Sequence, residues 1–344
     1  MNGVRVEITE ELSNRLSNMA IVCAALVVII HCRPRFEFDS FGWWIQQLLE
    51  NGVCAIAVPY FFTASGFFLA GHVGEPGWYR REAQKRVKTL LLPFVLWLSI
   101  FFIPDSPWNV WKGQLTWSQI LSVPNLLDFY GVSLGELPGL TPLWYLRGLF
   151  ILVLLSPLLH SFLRFGRMGL VVLFMVYGLV CPGPAGEGLL HDLTLYGILP
   201  AAGIFYFTLG MALRERVIAW SVPREALPYI AIAGGLLVFL QPSACCERLW
   251  YFQYFGWLSI PFLLLGLWMV IPSNRWPTWL TGSAFAVYIL HRFFFQIAKT
   301  IVGGNDTVLR YAFIAVFMFS VALAASVVLH KFLPRVSKVL FGGR

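Results

Sequence analysis

Two histidines stand in stretches that are otherwise apolar. His31 closes the run Ala20–Ile30, and His291 ends the segment Ser283-Ala284-Phe285-Ala286-Val287-Tyr288-Ile289-Leu290-His291. An ionisable group inside a membrane segment is costly, so each one marks a functional position by default. Imidazole ordinarily titrates near neutrality and can take a proton from a hydroxyl at physiological pH. On a helix His31 lies about 20 Å beyond Asn18, which suits a general base at the outer end of the segment. The same position equally suits an interfacial histidine that caps the helix. Tyr288 and His291 are three residues apart and therefore neighbours on a helix, and Ser283 shares their broad face. That polar stripe fits a proton path or a substrate contact, and it also fits a helix–helix hydrogen bond.

A third feature is a basic stretch, Trp78-Tyr79-Arg80-Arg81-Glu82-Ala83-Gln84-Lys85-Arg86-Val87-Lys88, which runs into Leu90-Leu91-Leu92-Pro93. Arg81, Lys85, Arg86 and Lys88 could meet the phosphates of an anionic ligand. Juxtamembrane basic residues also bind anionic lipid and fix topology, with no ligand needed.

These groups must be positioned by helices in a bilayer. Of the 344 residues 58% are hydrophobic and 12% charged, and the mean hydropathy is +0.72. Soluble domains carry roughly 25% charged residues, so a soluble globular protein, a disordered chain and a nucleic-acid-binding module are excluded. The formal charge of +8 is then a property of cytoplasmic loops, not of a nucleic-acid partner. Ten apolar segments follow, at about 17–32, 44–70, 89–104, 142–163, 168–182, 194–213, 226–241, 251–272, 279–298 and 308–330. Lipid leaves helices as the way to satisfy their backbones, because the alternation of a barrel strand is absent. The expected fold is an all-α polytopic bundle of about ten transmembrane helices, forming a single membrane-embedded domain over 1–344. The second segment is longer than one span and contains Pro59 and Gly66, so a kink or re-entrant piece is expected there.

With the N-terminus inside, the inner segments hold seventeen Lys and Arg and the outer ones five, counted on these boundaries. The positive-inside rule then places both termini in the cytoplasm. The stretch 105–141, with Trp108, Trp111 and Trp117, becomes an external loop: an interfacial aromatic anchor or a sugar-stacking lip over an outward site. The first apolar run has acidic residues before it and no small-x-small cleavage site after it, so it reads as a retained helix, not a signal peptide. Six scattered cysteines form no C-x-x-C pair, which disfavours zinc and leaves no metal site expected.

The chain resembles the acyltransferase 3 family of integral-membrane acyltransferases. Five motifs carry the resemblance, in order over about 15–300. They are the helix ending in His31, the segment Tyr60-Phe61-Phe62-Thr63-Ala64-Ser65-Gly66, the basic stretch Lys85–Pro93, Leu143-Trp144-Tyr145-Leu146-Arg147, and Ser283 to His291. Two departures stand out. The family's arginine eleven positions before the histidine falls on Ala20, and its second basic-loop arginine falls on Thr89, beside Lys88.

The resemblance implies an inner- or plasma-membrane O-acyltransferase. It would move an acetyl or other short acyl group from cytoplasmic acyl-CoA, with acetyl-CoA the expected donor, to a glycan, lipid-linked glycan or related cell-surface acceptor. His31 would act as base or carry the acyl group, with His291 and Tyr288 supporting the reacting centre. Arg81, Lys85, Arg86 and Lys88 would hold the donor, and Ser65, Trp144, Arg147 and Ser283 would contact substrate or brace the site. The rivals are a secondary transporter exporting small organic anions, which proline-broken helices and buried histidines also fit, and a family member that binds without catalysis.

Overall fold

The computed structural model describes residues 5–32, 36–130, 143–180, 200–218, 222–240, 254–301 and 307–343. Among these the regular structure is helical. The order is α1 (Glu10–Ile30), α2 (Phe41–Gln47), α3 (Ala57–Ala70), α4 (Trp78–Arg86), α5 (Leu92–Trp111), α6 (Trp117–Ile120), α7 (Val123–Phe129), α8 (Trp144–Phe162) and α9 (Gly166–Val180). Then come α10 (Ala201–Arg214), α11 (Leu227–Leu240), α12 (Tyr254–Val270), α13 (Thr278–Thr281), α14 (Ala284–Ile301), α15 (Val308–Phe332) and α16 (Pro334–Leu340). Each of the ten apolar segments falls on a helix. Among the described residues four stretches are long and apolar enough to cross a bilayer: Glu10–Ile30, Phe41–Ala70, Trp144–Gly178 and Val308–Phe332. Three shorter apolar helices, Ala201–Arg214, Leu258–Val270 and Ala284–Phe295, accompany them. The stretch from Trp144 is interrupted by a 3-10 turn at Leu163–Phe165 and by Gly166, whose φ of +57° needs a residue without a Cβ.

Local chemistry sets the boundaries that matter. Thr9 caps α1, its hydroxyl accepting from the Leu12 amide at 3.2 Å, and Glu10 and Glu11 complement the positive end of the helix. The buried Asn18 ties α1 to the turn after α12, donating to the Pro272 and Asn274 carbonyls at 3.0 and 2.8 Å. The second segment bends through a π-helical turn at Leu48–Gly52 and a 3-10 turn at Val53–Ile56. The bend thus precedes Pro59, which lacks the N–H that would bond four residues back. It does not occur at Gly66, contrary to expectation.

Gly66 has a different use. A Cβ there would lie 1.9 Å from the Phe207 carbonyl oxygen on α10, and one at Gly210 would lie 1.9 Å from the Thr63 carbonyl oxygen on α3. The two helices approach backbone to backbone through this reciprocal pair, the small-residue packing that membrane helices favour.

The segment expected to be an external loop from residue 105 begins within a helix. Helix α5 continues through Pro104 and Pro107 to Trp111, since a helix tolerates proline where neighbouring groups re-satisfy the freed carbonyls. The short helices α6 and α7 follow, and residues 131–142 lie outside the described set. The rings of Trp108 and Trp111 lie 5.0 Å apart, and Lys112 sits over Trp108. Of the cysteines, Cys23, Cys32 and Cys54 are buried; Cys181, Cys245 and Cys246 lie outside the described residues.

Candidate functional site

Helices α1 and α14 pack against each other, and their two histidines meet. The rings of His31 and His291 are 4.9 Å apart, edge to face at 79°. His31 is the C-cap of α1, and His291 is fully buried within α14. Each ring has its Nδ1 near the carbonyl four residues back on its own helix: Val27 at 3.0 Å for His31 and Val287 at 3.2 Å for His291. A carbonyl only accepts, so a hydrogen bond there places the proton on Nδ1 and leaves Nε2 with a lone pair. The Nε2 of His291 is buried with no hydrogen-bond partner. A buried polar atom left unpaired is uncommon and calls for a reason.

One turn before His291, Tyr288 lies at the edge of a cavity of about 570 Å³. The aromatic members of three of the sequence motifs converge on this wall. Tyr145 packs against Phe62 at 4.8 Å, Tyr288 at 5.8 Å and Phe61 at 6.0 Å, and its hydroxyl lies 3.4 Å from Ser65 Oγ. Phe61, Ser65, Tyr145, Phe285 and Tyr288 all line the cavity, as does Ala20. Its other rim is basic, with Lys85, Arg86, His72 and Arg214. From Ala20 to His31 the helix rises about 16 Å, so the histidine pair lies well beyond Ala20, and neither histidine lines the cavity. A second, apolar cavity of about 460 Å³ shares Leu16, Tyr60 and Ala64 with the first.

The cations expected to bind a ligand divide into two sets. Lys85 and Arg86 line the cavity, and both contact Glu82, at 3.6 and 3.2 Å. Arg81 points elsewhere, pairing with Glu75 at 2.6 Å and with the Pro76 carbonyl, and Lys88 is exposed. Neither Arg81 nor Lys88 is among the lining residues. Thr89 belongs to a π-helical turn, Val87–Leu91, that precedes Pro93 in α5, and its carbonyl abuts Gly342 near the C-terminus. Trp144 packs against Phe62 with its ring tilted by 50°, and Arg147 is buried within α8. Ser283 faces α15: its hydroxyl bonds to the Trp279 carbonyl at 2.7 Å and accepts from Ser326 at 2.9 Å.

Four residues of this neighbourhood escaped the sequence reading. Tyr145 was hidden beside the more conspicuous Trp144. His72 and Arg214 are distant in sequence and meet Arg86 only through the fold. Glu50 carried a signal that was there to be read, a carboxylate inside an apolar segment. Tyr311 Oη lies 3.3 Å from Glu50 Oε1 and 3.4 Å from the Ile29 carbonyl, bracing the end of α1 that carries His31. Among the described residues no group of three His, Cys, Asp or Glu side chains is placed to hold a metal ion.

Residues 15–330 match the acyltransferase domain model of the acyltransferase 3 family. The succinoglycan biosynthesis protein ExoH of Rhizobium meliloti (strain 1021) is 26% identical over 253 residues, which is 69% of this chain and 65% of that protein. An amino-acid racemase of Enterococcus faecalis is 30% identical over 106 residues, 31% of this chain and 13% of that one. The matched region thus spans just under two thirds of the first relative and a small part of the second. No solved structure matches the chain significantly.

Proposed function

The chain belongs to the acyltransferase 3 family, and from that premise we propose that it is a multi-pass membrane O-acyltransferase that carries an acetyl or other short acyl group from cytoplasmic acyl-CoA to a cell-surface polysaccharide or related glycan. The name of its Rhizobium relative, which specifies succinoglycan biosynthesis, supports a polysaccharide acceptor. In this reading the ten apolar helices are ten crossings of the inner membrane with both termini cytoplasmic, and 105–141 faces outward.

The observation that carries the proposal is the juxtaposition of His31 and His291 beyond one end of a cavity whose opposite rim is cationic. The donor's phosphates lie against the basic rim, where Lys85 and Arg86 hold them. Its pantetheine arm extends along the wall of Phe61, Tyr145 and Tyr288, and the thioester reaches the histidine pair. His31 Nε2 takes the proton of the acceptor hydroxyl as its oxygen attacks the thioester carbonyl. The C–O bond forms, the tetrahedral intermediate collapses, the C–S bond breaks, and the imidazolium returns its proton to the departing thiolate. His291, through the lone pair of Nε2, and Tyr288, through its hydroxyl, orient the acceptor. No charged product remains in the apolar site.

Incubating membranes with radiolabelled acetyl-CoA tests this reading. Label in the polysaccharide or lipid-linked glycan fraction, lost with His31→Ala, is expected. Anion flux with no transferred label would instead make the protein a transporter.

A further inference from the structure

We propose that Arg214, at the C-terminus of α10, is the principal contact for the phosphate-bearing end of the acyl donor. This rests on the donor reading above and names a residue that it lacks. The basic stretch attracts attention by its number of charges, but three of its cations are already engaged. Glu82, 7% exposed, touches both Lys85 and Arg86, and Glu75 holds Arg81. Arg214 lines the same cavity, and no carboxylate pairs with it among the ion pairs of the described residues. The neighbouring Glu215 is turned away toward His160, 2.8 Å from its Nε2.

The guanidinium is also held in place. It sits over the Phe67 ring at 5.1 Å, and a Cβ on Gly71 would come within 3.4 Å of Nη2. The Arg214 carbonyl accepts from the Val6 amide at 2.9 Å, and the reciprocal Gly66–Gly210 crossing sets the height of α10 one turn earlier. Two donors, Nε and Nη1, are buried with no hydrogen-bond partner. A fixed guanidinium with no carboxylate partner at the rim of a cavity, its Nε and Nη1 unbonded on either side of Nη2, can grip an oxyanion through two adjacent N–H groups. Phosphate is the oxyanion that the proposed donor carries. Ala20, where the resembled family carries its first-helix arginine, lines this cavity too.

Equilibrium binding of tritiated coenzyme A to the full chain in detergent micelles tests the assignment, with inorganic pyrophosphate as competitor. Hydrogen bonds to charged groups contribute about 1.5–3 kcal/mol. Arg214→Gln therefore weakens coenzyme A by about tenfold or more and reduces its salt dependence. Arg214→Lys, which keeps the charge and loses the fork, retains part of the affinity, and Arg224→Ala, an exposed cation elsewhere, stays within about twofold. In turnover assays the donor KM of Arg214→Lys rises while kcat at saturating donor and the acceptor KM hold, a split that a purely structural role would not give. Wild-type affinity in Arg214→Gln overturns the assignment; if that variant does not purify as a monodisperse protein, wild-type affinity in Arg214→Lys overturns it equally. Wild-type protein that binds neither coenzyme A nor pyrophosphate refutes the donor reading itself, a result distinct from binding that ignores Arg214.

Discussion

The histidine pair and the basic rim of the cavity are built by opposite rules. His31 and His291 meet on adjoining faces of α1 and α14, one ring fully buried and both held by carbonyls of their own helices. At the rim, basic residues crowd around Glu82, which already lies beside Lys85, Arg86 and His72. At the buried pair every polar atom matters, because an unpaired one is expensive in low dielectric. At the rim, water and salt weaken each charge, and the number of cations says little about which of them binds. In the proposed mechanism the histidine pair moves the proton and the rim grips the donor, and substitutions should separate the two.

The largest expected effect lies at the histidines. General-base catalysis contributes typically 10²–10⁴-fold, so His31→Ala should cut turnover by about that factor with little loss of folded protein. His31→Gln should do nearly the same, since an amide bonds but does not act as a base; Gln restoring most activity would reduce His31 to a positioning role. Next is the scaffold that holds the two regions apart. Gly66→Ala sets a methyl against the Phe207 carbonyl and should destabilise the protein by roughly 1–3 kcal/mol, read as a lower unfolding temperature in detergent. Tyr288→Phe removes one hydroxyl from the cavity wall and should raise the acceptor KM by about two- to tenfold, the range of one neutral hydrogen bond. Smallest is Glu82→Gln, which frees Lys85 and Arg86. The Lys85 ammonium is half-exposed, so its pair with Glu82 is screened by salt, and the donor KM should fall roughly two- to fivefold at low ionic strength and show no change in high salt. A change that ignores salt would break the contrast between the two regions.

The difference between the two regions also explains what could be read from sequence. Apolar segments announced their helices, and the histidines were conspicuous because burying an imidazole in lipid needs a reason. Ser65, Tyr288 and Arg86 were placed on the right helices by local spacing, and the fold brings them to one cavity. Local spacing failed where pairing is tertiary. Arg81 and Lys88 look equivalent to Arg86 along the chain, yet Glu75 draws one aside and the π-helical turn at Val87–Leu91 begins just before the other. Arg214 arrives at the rim through a helix crossing that no local pattern encodes. Gly66 read as a hinge because glycine disfavours helices; its partner, the Phe207 backbone, lies on a helix far along the chain.

The central claim is that one cavity joins a cytoplasmic donor site to a transfer site near the opposite face. Sealed membrane vesicles of known orientation test it most directly, with radiolabelled acetyl-CoA supplied to one side at a time. Acetyl-CoA presented to the cytoplasmic face should label polysaccharide on the opposite side, and His31→Gln vesicles should leave that fraction unlabelled. Label that appears when the donor is presented to the external face, or that remains on cytoplasmic acceptors, would contradict the account.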